Sequence, residues 1–185
     1  MRIRNIALIA LILAVGTGAI AVADDDDRGW FRGKRESESH RTSAVTNDLY
    51  KKECGGCHFA YQPQLLPAAS WQKIMGGLDS HFGDNAELGQ KERTEILAYL
   101  EQNAADRSNA YLGREVMGRI GNAAPLRITE TRFFQREHHE LPRSVLSGKK
   151  GPKSLSNCIE CHTRADSGSY SENEIKIPGI GRWDD

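Results

Sequence analysis

Four cysteines and six histidines are the side chains of this 185-residue chain best suited to holding a metal. All four cysteines fall in two copies of one pattern, Cys54-Gly55-Gly56-Cys57-His58 and Cys158-Ile159-Glu160-Cys161-His162. Two thiols flanking two residues, followed at once by histidine, form the attachment pattern of a c-type haem. Each thiol adds to one vinyl group of the porphyrin, and the next side chain is then held under the ring, where its imidazole can bind iron. The expectation is two covalently bound haem c groups anchored by Cys54, Cys57, Cys158 and Cys161, with His58 and His162 as proximal iron ligands. A lone C-x-x-C would fit a redox dithiol, half a zinc site or a short disulfide equally well. The main rival is one zinc on all four sulfurs. It needs the pairs to meet across about 100 residues and leaves both adjoining histidines unexplained.

Each such iron has a second axial position to fill. In a helix expected over 67–82, with Pro67 in its first turn, Trp71, Ile74, Met75, Leu78 and then His81 with Phe82 form one apolar stripe. A histidine on such a face is ordinarily a core residue. With a haem box upstream the chain can turn back over the ring, and His81 is the expected distal ligand of the first haem. Met75 competes, because His/Met ligation is common in c-type cytochromes, although a methionine between Trp71 and Leu78 is ordinarily core packing. Gly76-Gly77 in mid-helix is costly and marks an expected close approach of backbone to another helix or to the haem. A second helix is expected over 128–141, capped by Thr129 or Thr131 and stopped by Pro142. His138 shares its face with Phe134 and Leu141, whereas His139 aligns with Gln135 and Arg136 on a polar face. His138 is thus assigned as distal ligand of the second haem, with His139 as its alternative and Glu137 or Glu140 placed to accept the second ring N–H. His40, in a charged segment, and Met117, in a connector, are further candidates.

The elements that must position these groups follow in order. Arg2 and Arg4, the apolar run from Ile6 to Val15 and Ala21-Val22-Ala23 read as a secretory signal peptide over 1–23; an uncleaved anchor is the alternative. Residues 24–43 are charged and predict no fold of their own. A first lobe over 44–105 should hold a short helix capped by Thr46 or Asn47, the haem box, a loop around Tyr61 and Leu65-Leu66, the helix with His81, and a closing helix within 84–105 bearing Ile96, Tyr99, Leu100 and Ala104. Residues 106–185 form a connector and the second haem lobe. There the basic residues Lys149, Lys150 and Lys153 precede the haem box, and Ile175, Ile177, Ile180 and Trp183 are expected to close over the haem as one extended piece. The fold class is mainly α, a small two-lobed protein whose second lobe has little regular structure.

Formal net charge is zero. Removal of residues 1–23, with Arg2 and Arg4, leaves 23 basic against 25 acidic residues, which gives no sign of a nucleic-acid partner. Covalent haem in an exported chain predicts the bacterial periplasm.

Together these residues resemble the small dihaem cytochromes c of bacteria. The likeness rests on Glu53 to His58, Tyr61 to Pro67, Ser70-Trp71, His81-Phe82-Gly83, Arg136-Glu137-His138 and Asn157 to His162, and the first lobe resembles class I cytochromes c. It implies a periplasmic electron carrier with two bis-histidine haems, their distal positions on His81 and His138. As redox protein partners it implies a small oxygen-binding monohaem cytochrome, the sphaeroides haem protein, and membrane cytochromes of b type. Electron transfer without small-molecule substrate chemistry is the expected function. The rivals are a peroxidase-like or reductase-like haem enzyme, which needs an open iron and acid/base groups above it, and a gas-sensing module with a displaceable ligand.

Overall fold

The first helix, α1 (Asp48–Cys54), begins at Asn47, whose side chain accepts the Tyr50 N–H at 2.7 Å. A short polar side chain at this place satisfies a donor that the first helical turn leaves unpaired. The computed structural model describes residues 41–142, 145, 151–152 and 154–183. The expected signal peptide, most of the charged N-terminal segment with His40, and Lys149, Lys150 and Lys153 lie outside the described residues.

Tyr50 fastens α1 to the rest. Its buried ring lies 5.8 Å from that of Tyr99 on α3 (Gln90–Gln102), and its hydroxyl donates to the Tyr61 carbonyl at 2.9 Å. Between them, α2 (Ala68–Gly76) starts after Pro67, whose fixed φ suits a helix entry. The Ala68 N–H, one of the unpaired donors of the first turn, is taken by Asp106 at 2.8 Å. Val45, Tyr50, Leu66, Trp71, Met75, Leu78, Ile96 and Leu100 form the first apolar cluster. Met75 is inside it, 3% exposed, in the packing role that its position between Trp71 and Leu78 suggests.

The expected helix over 67–82 is interrupted. It stops at Gly76, and a single 3-10 turn, Leu78–Ser80, follows. No protein neighbour crowds Gly76, so the glycine pair does not mark a close approach to another helix; it stands at the helix end, where missing side chains lower the cost of leaving helical geometry. His81 therefore stands beyond the helix in a tight turn. The Asp84 N–H donates to the His81 carbonyl at 3.1 Å, and Phe82 and Gly83 both have positive φ, 54° and 108°, the pattern of a type I′ turn.

Residues 106–125, expected as a connector, hold α4 (Tyr111–Ile120). Leu112 and Val116 are buried on one face with Leu65 and Ala105 in a second apolar cluster. Gly113 is needed there, because a Cβ would sit 3.0 Å from the Ala105 carbonyl and the Ser108 side chain. Leu65 and Leu66 thus feed different clusters, and the Ala105 N–H donates to the Leu66 carbonyl at 3.0 Å where the two join. The expected helix over 128–141 is shorter: a 3-10 turn, Ile128–Glu130, then α5 (Arg132–Glu137), capped by Thr131 through the Phe134 N–H at 3.0 Å.

Among the described residues the second haem box and the chain after it form three short 3-10 turns, Cys158–Glu160, Ala165–Ser167 and Glu172–Glu174. The tail, expected as one extended piece, folds back on itself: β1 (Lys176–Ile177) pairs antiparallel with β2 (Gly181–Arg182), Ile177 opposite Gly181. Among the described residues no helix is long and apolar enough to cross a membrane.

Candidate metal centres

The last turn of α1 carries Cys54, and the chain leaves the helix through Gly55 to Cys57 and His58. A thiolate at a helix C-terminus faces the negative end of the backbone dipoles. Burial, with the Glu53 carboxylate adding to it, pushes the Cys54 thiol up to about 11. In the second box burial pushes Cys158 up to about 11 as well, and burial and Glu160 raise Cys161. Redox dithiols work by the opposite shift, toward a stable thiolate, and the shifts of Cys54, Cys158 and Cys161 do not run that way. No disulfide joins the four cysteines. Among the described residues no group of three or more His, Cys, Asp or Glu side chains converges on a single metal position, so the sulfurs do not build the four-cysteine zinc site.

His81 comes to the first box from the turn after Ser80. Its ring centre lies 6.3 Å from that of His58, and the planes are 24° apart. Two imidazoles bound to one metal at about 2 Å each place their ring centres about 6 Å apart, so the spacing fits an iron between them. His58 Nδ1 lies 2.8 Å from the Phe59 carbonyl; donation to that oxygen would leave Nε2 free for a metal. Burial, and next the neighbouring His58, lower the His81 pKa, and Arg127 lowers it further against the opposing pull of Asp84. The imidazole is thereby kept neutral with its lone pair available.

At the second box the backbone N–H of His162 donates to the Cys158 carbonyl at 2.8 Å, closing the turn that carries both cysteines and the histidine. His138 forms the C-cap of α5, and its ring stacks on Phe134 at 3.8 Å and 13°. It meets His162 with ring centres 5.9 Å apart and planes at 74°. Its Nδ1 lies 2.9 Å from the Phe134 carbonyl, so the helix backbone, and not Glu137 or Glu140, takes the second ring nitrogen. Burial is the main cause of its lowered pKa. His139 points away and is 68% exposed beside Glu140.

His138, Cys158, Cys161 and His162 line one cleft with about 1270 Å³ of empty space, its open side included. Leu65, Leu112, Phe134, Ile175, Ile177 and Trp183 make most of its other walls apolar, as a flat hydrophobic ring with polar edges requires. The tail closes over this cleft as expected of Ile175, Ile177 and Trp183, whereas Ile180 is turned outward, 55% exposed.

Residues beyond the expected ligands also shape the centres. The Tyr61 ring stacks on His58 at 4.8 Å and 30°, and that of Tyr170 lies edge-on to His162 at 5.3 Å. Gln62, fully buried, accepts the Tyr170 hydroxyl and donates to the Ala165 carbonyl. Arg127 lies over the exposed Phe82 ring, 4.1 Å from its centre. Gln62 and Gln64 stand among Tyr61, Pro63, Leu65 and Leu66, and nothing local distinguishes the buried Gln62; the tyrosine at 170 carries no local signal either.

Two thiol-thiol-imidazole boxes in a mainly α, two-lobed fold, one opening on an apolar cleft, define a cytochrome c built for two haems. The family model for dihaem cytochrome c matches residues 50–170, and the chain belongs to that family. It is similar to the crystal structure of a dihaem cytochrome c from Shewanella baltica OS155, with 40% identity, 75% of this chain and 98% of that chain covered, and a TM-score of 0.62. It is likewise similar to the dihaem cytochrome c from Rhodobacter sphaeroides, with 42% identity, 70% and 100% covered, and a TM-score of 0.62. No curated protein matches. The protein therefore carries two covalently bound haem c groups with iron.

Proposed function

We propose that this cytochrome is a periplasmic electron carrier, with each iron held between two imidazoles: His58 and His81 in one centre, His162 and His138 in the other. The observation that carries this is the facing of two histidine pairs, with ring centres 6.3 and 5.9 Å apart. When both axial positions are filled, an iron has no coordination site for substrate and changes little in geometry between Fe(III) and Fe(II). Low reorganisation favours electron transfer, and paired imidazoles set a lower potential than histidine with methionine.

The protein's own groups fit that task. Neutral imidazoles supply lone pairs, the backbone carbonyls of Phe59 and Phe134 orient them, and the apolar cleft limits water around the second haem. Electrons pass between protein partners, with no small molecule transformed. The sequence resemblance supports two partners, a small oxygen-binding monohaem cytochrome and a membrane cytochrome of b type, and the signal-like N-terminus supports periplasmic residence.

Near-infrared absorption and electron paramagnetic resonance of the oxidised holoprotein test the ligation. Both irons should be low-spin with no methionine-to-iron charge-transfer band. A high-spin component, or stoichiometric CO binding after reduction, would overturn the carrier in favour of an enzyme or gas sensor. Transfer itself is checked by mixing the reduced protein with a candidate monohaem acceptor and following both haem spectra; no oxidation by either partner class would remove the partner assignment.

A further inference from the structure

We infer that Arg119 holds a propionate of the second haem, its side-chain Nε–H donating to that carboxylate. This rests on the second haem lying in the cleft lined by His138 and His162, as proposed above. Leu112, Val116 and Arg119 fall at i, i+4 and i+7 of α4, so they share one face of the helix. Leu112 lines the cleft. Further along that face, Arg119 Nη2 donates to Glu115 at 3.0 Å and lies 3.9 Å from Glu137, which also lines the cleft. The guanidinium therefore stands at the cleft edge, where α4 meets the end of α5.

The Nε–H of Arg119 is buried and has no acceptor among the described residues. A buried donor left unpaired is costly, and more so on a charged group. A haem c brings two propionate carboxylates with it, and the lining of the cleft is poorly suited to them. Among the described residues it includes Glu137, Glu140 and Glu172 but no lysine or arginine. A guanidinium beside that lining answers both needs. It binds carboxylates through short charge-assisted hydrogen bonds, and Arg119 still has its Nε–H to give once Glu115 has taken Nη2. Its positive charge also offsets the three carboxylates, which by themselves favour Fe(III) at this centre. Arg119 thus fastens the edge of the ring and raises the potential of the second haem.

The test follows the propionate methylene proton resonances of the oxidised holoprotein, assigned to the second haem through its links to Cys158 and Cys161, together with the potential of each haem. Arg119→Leu should move those resonances and lower the potential of the second haem, with both irons low-spin and the first haem unchanged. Arg119→Lys keeps the charge and should restore most of the potential. Glu115→Gln removes the other partner of Arg119 and should keep the native resonances. Native resonances and potential in Arg119→Leu overturn the contact; should that variant not fold, Arg119→Gln, which drops the charge and keeps most of the stem, is read in the same way. An equal shift in Glu115→Gln also overturns it, since loosening of α4 alone would then explain the change. A shift in Arg182→Leu, beside the cleft-lining Trp183, with none in Arg119→Leu gives the propionate to the tail and overturns it as well. A high-spin second iron in the unmodified protein would remove the two-imidazole centre, whereas a low-spin iron with unmoved propionates in Arg119→Leu removes the Arg119 contact alone.

Discussion

His58 and His81 face each other nearly parallel, with planes 24° apart, whereas His138 and His162 meet at 74°. The difference follows from how the His81 and His138 rings are held. His81 is set by a two-residue turn with Phe82 and Gly83 at its corner, and the His138 ring is clamped flat on Phe134 within its own helix.

Axial-ligand arrangement is one of the main levers a protein has on haem iron. Parallel imidazole planes lift the near-degeneracy of the two iron d orbitals that interact with them, and crossed planes leave it largely in place. The oxidised protein should therefore give two distinct low-spin paramagnetic resonance signals, the second centre showing the larger anisotropy. Two superimposed signals of one shape would contradict this difference.

The assignment at the second centre is separable by mutation. His138→Ala should yield a high-spin component equal to one of the two haems and allow CO to bind there after reduction. His139→Ala, which removes an exposed ring beside Glu140, should change the spectra of neither haem and shift stability by no more than about 0.5 kcal/mol. The reverse pattern would make His139 the ligand.

Phe82 has a left-handed backbone, φ 54°, which only glycine and a few small polar residues adopt cheaply. Phe82→Val places a β-branched side chain there and removes the ring under Arg127. Together these should cost on the order of 1–2 kcal/mol. Thermal unfolding should begin earlier and CO should gain access to the first haem. Phe82→Gly keeps the turn and should leave His81 in place. Equal CO access in both variants would mean that the turn does not hold the ligand.

Where the N-terminal part of the described chain meets the second lobe, Thr42 donates its N–H to the Gly168 carbonyl at 2.9 Å. Gly168 has φ 80°, and a Cβ there would collide with the Thr42 carbonyl. Gly168→Ala should destabilise by more than about 1 kcal/mol, read as a lower denaturant midpoint with haem spectra unchanged. A wild-type midpoint would show that this seam carries no stability.

Much of the first lobe was legible because its signals are local. Asn47, Trp71, Ile96 and Leu100 announce caps and buried faces through spacing alone. The break at Gly76-Gly77 was also visible as a propensity cost, but the apolar stripe running on to His81 outweighed it. The helix Tyr111–Ile120 was missed although Leu112, Val116 and Ile120 repeat at helical spacing, because the glycines and charges around them diluted the pattern. The second lobe offered less, since short 3-10 turns leave no periodicity to read.

By itself the sequence determined the two haem boxes. Both thiols and the adjoining imidazole lie within five consecutive residues, so bond lengths and chain direction bring them to one porphyrin. The tertiary structure alone decided which distant side chains come near them: that His81 arrives from a turn and not a helix, that His138 turns inward and His139 outward, and that Tyr61 and Tyr170 reach both centres through Gln62. Those meetings depend on how two apolar clusters pack against each other, and local propensity carries no record of that.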